Sequence, residues 1–160
     1  MGWEEKITLQ ENTTSDNFGS SVAIYGNYAI VGAYKYDIVP GSGNNGGAVY
    51  FYQRNRNGKW ELDKESTKYG EKASDNFGLG VAIYGNYAIV GAYGSSAEKA
   101  YLYLKKNNGK WVKVSEQYNP IEKGKDFGTA VGLFGNYAIV GGETGGAGSG
   151  GVAAIYQRMY

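Results

Sequence analysis

Histidine and cysteine are both absent from the 160 residues, and proline occurs only twice. Without Cys and His there is no thiol nucleophile, no imidazole base and no disulfide. The usual Cys/His sites for zinc, haem and iron–sulfur clusters are excluded with them. Charge of one sign is also lacking: 16 Lys+Arg against 15 Asp+Glu leave a net charge of +1. A surface that reads nucleic-acid phosphates carries a basic excess, and this chain has none. No apolar run approaches the ~18–20 residues of a membrane-spanning helix. The opening residues Met1-Gly2-Trp3-Glu4-Glu5-Lys6 hold no apolar stretch of the kind a signal peptide needs.

Glycine and aromatic residues are plentiful instead. There are 27 Gly, 16 Tyr, 5 Phe and 3 Trp, and 42% of the chain is hydrophobic. That is enough apolar matter for a packed core in a single domain. Glycine and aromatics without long runs of helix formers read as short strands joined by tight turns.

Internal repetition organises the rest. Residues 15–34 match residues 74–93 at 18 of 20 positions, and a third copy begins at Phe127-Gly128. The heptapeptide Gly-Asn-Tyr-Ala-Ile-Val-Gly stands unchanged at 26–32, 85–91 and 135–141. Such near-identity points to recent duplication or to deliberate construction from one unit. Each copy divides into short apolar segments. In the first, Val22-Ala23-Ile24-Tyr25 is followed by Gly26-Asn27, a two-residue hairpin signal, and then by Tyr28-Ala29-Ile30-Val31. Ala48-Val49-Tyr50-Phe51-Tyr52 comes next. A further hairpin signal at Asn57-Gly58 leads into Trp60-Glu61-Leu62-Asp63. The first three segments are almost continuously apolar, as strands covered on both faces are, whereas the fourth alternates and has one wet face. The fold class is therefore all-β, with three units of four strands.

The third copy supplies only three such segments before Tyr160. A fourth is found at the other end: Gly2-Trp3-Glu4 parallels Gly58-Lys59-Trp60 and Gly109-Lys110-Trp111. Trp3 precedes Phe18 by 15 residues, Trp60 precedes Phe77 by 17, and Trp111 precedes Phe127 by 16. The expected division is residues 15–67, 74–117 and 126–160, with 2–11 as the strand that completes the last unit.

Asp-Asn-Phe-Gly, then Val-Ala-Ile-Tyr-Gly-Asn-Tyr-Ala-Ile-Val-Gly-Ala, then a Val-Tyr-Phe-Tyr strand and a Gly-Lys-Trp turn resemble the bacterial FG-GAP repeat. That repeat forms the blades of integrin-α-like β-propellers. The Gly-Ala-Pro end of the motif is altered here to Gly32-Ala33-Tyr34, Gly91-Ala92-Tyr93 and Gly141-Gly142-Glu143. The calcium loop that some such blades carry is replaced by bare Gly-Asn turns, too short to wrap a cation that takes 6–8 oxygens. No metal and no cofactor is expected. Propellers have 4–8 blades, so three do not close a ring. The resemblance therefore implies a homodimer: two chains about a two-fold axis, six blades, each N-terminal strand completing its partner's last blade. A β-trefoil, also built from three four-stranded repeats, is the alternative, and it would imply a carbohydrate-binding protein.

Within this frame Phe18, Phe77 and Phe127 are expected as wedges between blades. Trp3, Trp60 and Trp111 open the outer strands, where they either pack between blades or stack on sugars. Asp16, Asp75 and Asp126 either cap turns or form a ring of carboxylates. Tyr34, Tyr36 and Tyr93 follow the second strands in loops on one rim, and their amphipathic tips are the candidate ligand-binding residues. Ser20, Ser21 and Ser66 have no base to activate them, and the glycine-rich run at 145–151 lacks the Lys-Ser/Thr ending of a phosphate loop. The expected function is non-enzymatic: a self-assembling scaffold or a binding and adhesion module whose partners are a second copy and a protein or glycan. The resemblance implies an extracellular or cell-surface setting.

Overall fold

The computed structural model describes residues 2, 4–5, 7–10, 15–94, 97–121, 126–143 and 150–159. Trp3 and most of the run at 145–151 lie outside the described residues.

Among the described residues twelve strands form three antiparallel sheets, and the one helical element is a 3-10 turn at Lys64–Ser66. The first sheet contains β1 (Ser21–Tyr25), β2 (Tyr28–Ala33), β3 (Ala48–Arg54) and β4 (Trp60–Leu62), with β5 (Lys68–Tyr69) pairing further along β3. The second contains β6 (Val81–Tyr84), β7 (Tyr87–Gly94), β8 (Ala97–Lys105) and β9 (Trp111–Tyr118). The third contains β10 (Ala130–Phe134), β11 (Tyr137–Gly142) and β12 (Val152–Gln157). Each is a meander in sequence order. These are three separate sheets, not the shared barrel that the trefoil alternative requires.

The Gly-Asn turns fall between β1 and β2, β6 and β7, and β10 and β11. Gly26, Gly85 and Gly135 take φ of +57°, +59° and +58°, the left-handed region that glycine enters at no steric cost. The first sheet reaches Tyr69, just beyond the boundary expected at 67, because the 3-10 turn splits its outer strand in two.

Alternation along the strands gives every sheet two apolar faces. In β7, Ala88, Val90 and Ala92 face the first sheet, while Ile89 packs with Phe127, Ala138 and Val140 toward the third. The innermost strands β1, β6 and β10 lie side by side. A ladder of aromatic rings crosses their tips, Tyr25 to Tyr84 at 4.8 Å and Tyr84 to Phe134 at 4.9 Å. The Phe-Gly pairs set the spacing between sheets. Phe77 is buried between the first and second, and Phe127 between the second and third. A Cβ added to Gly32 would run into the carbonyl oxygen of Gly78, and one added to Gly91 into that of Gly128. The Gly of each Ile-Val-Gly is therefore the floor on which the next unit's Phe-Gly backbone rests.

The third sheet has three strands among the described residues. Among the described residues nothing pairs with the far edge of β12, and residues 2, 4–5 and 7–10 form no strand. Leu9 packs instead against the first sheet, on the side turned away from the second, with Phe18 and Tyr36.

Candidate interaction surfaces

Positions that are identical in sequence differ in exposure according to their place in the stack. Val81 and Ile83 face the first sheet and are 8% and 6% exposed. Their counterparts Val22 and Ile24, on the outward side of the first sheet, are each 67% exposed. At the opposite end Ile30 and Ile89 are fully buried, but Ile139 is 44% exposed, and beside it stand Phe134 at 75% and Ile155 at 71%. Gly141 tells the same story. Its counterparts Gly32 and Gly91 lie against a following Phe-Gly carbonyl, whereas the nearest atom to a Cβ at Gly141 is the methyl of Ala130 at 3.7 Å. The stack thus ends in two apolar faces with complementary roles. One displays the residues that receive a preceding sheet, and the other those that receive a following one. Contiguous exposed apolar surface of this kind marks an interaction site.

Trp111 lies in the gap between the first and second sheets. It stacks on Phe51 at 4.8 Å and meets Tyr28 edge-on at 6.1 Å. Its backbone N–H donates to Ser66 Oγ at 3.2 Å. Lys105, paired with Trp111 across β8 and β9, sets its ammonium 4.7 Å from the Tyr28 ring. Trp60, the matching residue of the first sheet, is half-buried against that sheet's outward face. Trp3 is outside the described residues.

Of the candidate tyrosines, Tyr34 and Tyr93 hold equivalent places one sheet apart. The Tyr34 hydroxyl accepts from Asn17 Nδ2 at 3.2 Å, and the Tyr93 carbonyl accepts from the matching Asn76 Nδ2 at 3.3 Å. Both are half-buried. Tyr36 packs onto the core of the first sheet and lies 5.2 Å from Tyr69. Tyr93 lies within β7 rather than in the loop expected for it, and the three tyrosines do not converge on a common cleft. Asp75 is buried and caps a turn, its Oδ2 accepting from the N–H groups of Glu71 and Lys72 at 3.0 and 2.8 Å. Asp16 is buried and Asp126 half-buried.

A charged cluster on the second sheet gives no sign of itself in the sequence pattern. Lys99 is 7% exposed. Its ammonium lies 3.1 Å from Glu116, 3.4 Å from Glu71 and 4.7 Å from the Tyr101 ring. Lys113 bridges the same two carboxylates at 2.5 and 2.8 Å. Hydrogen bonds from Lys113, then Tyr118, hold the Glu116 carboxyl down at about 2, with a further bond from Lys99. Burial opposes the charge of Lys99, but the Tyr101 hydroxyl and Glu116 outweigh it and raise its pKa. Burial pushes the Tyr101 hydroxyl up to about 12. The cluster ties the loop carrying Glu71 to β8 and β9, and every charge in it has an opposite partner, so its role is structural. A carboxylate with a depressed folded pKa contributes stability that is fully present above its ordinary value and lost as pH falls through the folded one. Urea midpoints are therefore expected to drop between about pH 4.5 and 2. Glu116→Gln should flatten that drop and lower the midpoint at neutral pH. An unchanged acid slope in the variant would show that the cluster does not carry it.

The sequence profile of the FG-GAP repeat matches residues 2–52 and 66–103, more than half of the chain. The chain belongs to the FG-GAP repeat family. No curated protein matches it. FG-GAP repeats suggest propeller blades and are compatible with a binding or adhesion module. The profile begins at Gly2, ahead of the first described strand, so the Gly-Trp segment lies within the matched repeat.

Proposed function

We propose that this FG-GAP chain is a non-enzymatic building block of a ring. Two copies join through their outer faces into a six-bladed propeller that serves as a scaffold for binding or adhesion. The observation that carries this reading is the contrast between identical positions. Val22 and Ile24 are exposed where Val81 and Ile83 are buried, and Ile139 is exposed where Ile30 and Ile89 are buried. A second copy related by a two-fold axis supplies both missing neighbours at once, its first sheet lying on the third sheet of its partner. Ring closure of this kind covers both open apolar faces at once and leaves only the short edges of each blade.

The ring presents Tyr34 and Tyr93 on one rim, with the equivalent positions of the second copy continuing the series. A protein or glycan engaging several repeats at once is the kind of partner that such a rim suits. Catalysis has no support among the described residues: the buried Asp75 caps a turn, and the half-buried Glu116 is held by lysines.

The aromatic ladder offers a direct test. Tyr25 to Tyr84 and Tyr84 to Phe134 are spaced alike, so Phe134 of one copy should meet Tyr25 of the other. The chain has no native cysteine, so Tyr25→Cys and Phe134→Cys place unique thiols. An equimolar mixture of the two single variants, treated with a short bis-maleimide, is expected to give a covalent pair on a denaturing gel. If each variant stays single while its thiol reacts freely, the ring is contradicted.

A further inference from the structure

A cavity of about 380 Å³ opens between the second and third sheets. Four of its wall positions are the register equivalents of positions around Trp111. By strand register, Tyr87 stands where Tyr28 stands one sheet earlier, and Leu102 where Phe51 stands. Tyr156 takes the place of Tyr103, and Arg158 follows Gln157 as Lys105 follows Leu104. All four of Tyr87, Leu102, Tyr156 and Arg158 line the cavity. The cation is repeated as well: Arg158 lies 4.7 Å from the Tyr87 ring, and Lys105 lies 4.7 Å from the Tyr28 ring. Ser115 and Gln117 of β9 complete one wall. Between the first and second sheets such a frame encloses an indole carried by a fourth strand. Between the second and third the frame is present, and among the described residues the edge of β12 beside it carries no strand.

We propose that this cavity is a receptor for Trp3 of a second copy of the chain. In this arrangement the segment around Trp3 adds antiparallel to the free edge of β12, with Trp3 opposite Arg158, as Trp111 lies opposite Lys105 and Trp60 opposite Arg54. Three observations select this occupant. Trp3 stands 15 residues before its Phe-Gly pair, close to the 17 and 16 of the other two tryptophans. Each described Trp strand runs on into the unit that packs against its own sheet, so Trp3 belongs to the sheet that precedes the first. Leu9 packs on the outward face of the first sheet, whereas the cavity opens beyond the second. A partner whose first sheet docks on the third brings that same segment to the edge of β12. Strand addition supplies main-chain hydrogen bonds, and the cavity supplies side-chain specificity.

This inference rests on the two-chain reading above, and the test separates the two. Association is measured by light scattering over a dilution series for the wild type, for Trp3→Ala, for Leu102→Trp (which fills the cavity from its own wall) and for the double variant. Trp3→Ala and Leu102→Trp are each expected to weaken association at least tenfold. The double variant should be no weaker than either alone, because both remove one contact. A peptide of residues 1–12 in excess should dissociate the wild-type pair, and the same peptide with Trp3→Ala should not; this arm needs no altered folded chain. A wild-type pair unmoved by the variants and the peptide overturns the receptor and leaves the ring intact, as does a double variant whose losses add. A monomeric wild type overturns the ring itself.

Discussion

Trp111→Ala is expected to lower the stability of the chain by about 3–5 kcal/mol, the range for truncating a buried aromatic residue. Trp111 is 3% exposed and bridges two sheets, with Phe51 and Tyr28 on one side and β9 on the other. Its removal takes away the transfer energy of the indole and leaves a hole between rigid sheets that close on it only in part. The total stability of a domain this size is of order 5–15 kcal/mol, so the loss is a large share of the whole. Trp111→Phe keeps the stacked ring and should cost less than half as much. Urea unfolding followed by far-ultraviolet circular dichroism measures both. A loss under about 1 kcal/mol for Trp111→Ala would mean that the gap between the first two sheets is not held by this side chain. The contrast with the second gap makes the experiment informative, because there, among the described residues, the same frame holds no indole.

Ile24→Asp is expected to abolish pairing of chains while leaving each chain folded, and Ile83→Asp to unfold the chain. The two isoleucines occupy the same position of identical Val-Ala-Ile-Tyr segments. In the single chain Ile24 is 67% exposed and Ile83 is 6% exposed. A carboxylate at position 24 therefore stays hydrated in the free chain, where surface substitutions change stability by about 0.5 kcal/mol or less. In the ring it would be buried against the partner's third sheet without a counter-charge. That costs several kcal/mol per ion, and the two-fold axis places one at each of two interfaces. Association should fall at least a thousandfold, each factor of ten corresponding to about 1.4 kcal/mol. Sedimentation velocity gives the mass, and thermal melting gives the stability of the same samples. Retained pairing in Ile24→Asp would place the contact elsewhere on the chain.

The strands and hairpins were legible in the sequence because local physics sets them. Gly-Asn and Asn-Gly turns, unbroken apolar runs and threefold repetition all point the same way. The roles of Phe77 and Phe127 between sheets followed from the repeat. What the sequence did not disclose was which copies of a repeated residue end up covered. Ile24 and Ile83 have the same neighbours on either side, and only their place in the stack separates them. The Lys99 cluster was hidden for a related reason. Lys99 takes the register position of Ala48 in the first sheet, and its partners Glu71 and Glu116 come from elements far apart in the chain. Tyr34, Tyr36 and Tyr93 were all expected in loops, but the second strand of the second unit runs on through Tyr93 to Gly94. That Tyr36 packs inward while Tyr34 and Tyr93 keep equivalent asparagine partners depends on how the loop after β2 folds back, which the turn residues alone do not determine.

The claim on which the rest depends is that the two open faces belong to each other. Light scattering on the unmodified chain at micromolar concentration tests it most directly. The account predicts a mass of twice 17.2 kDa, sustained on dilution and lost in Ile24→Asp. A soluble species of 17.2 kDa at every concentration would contradict it.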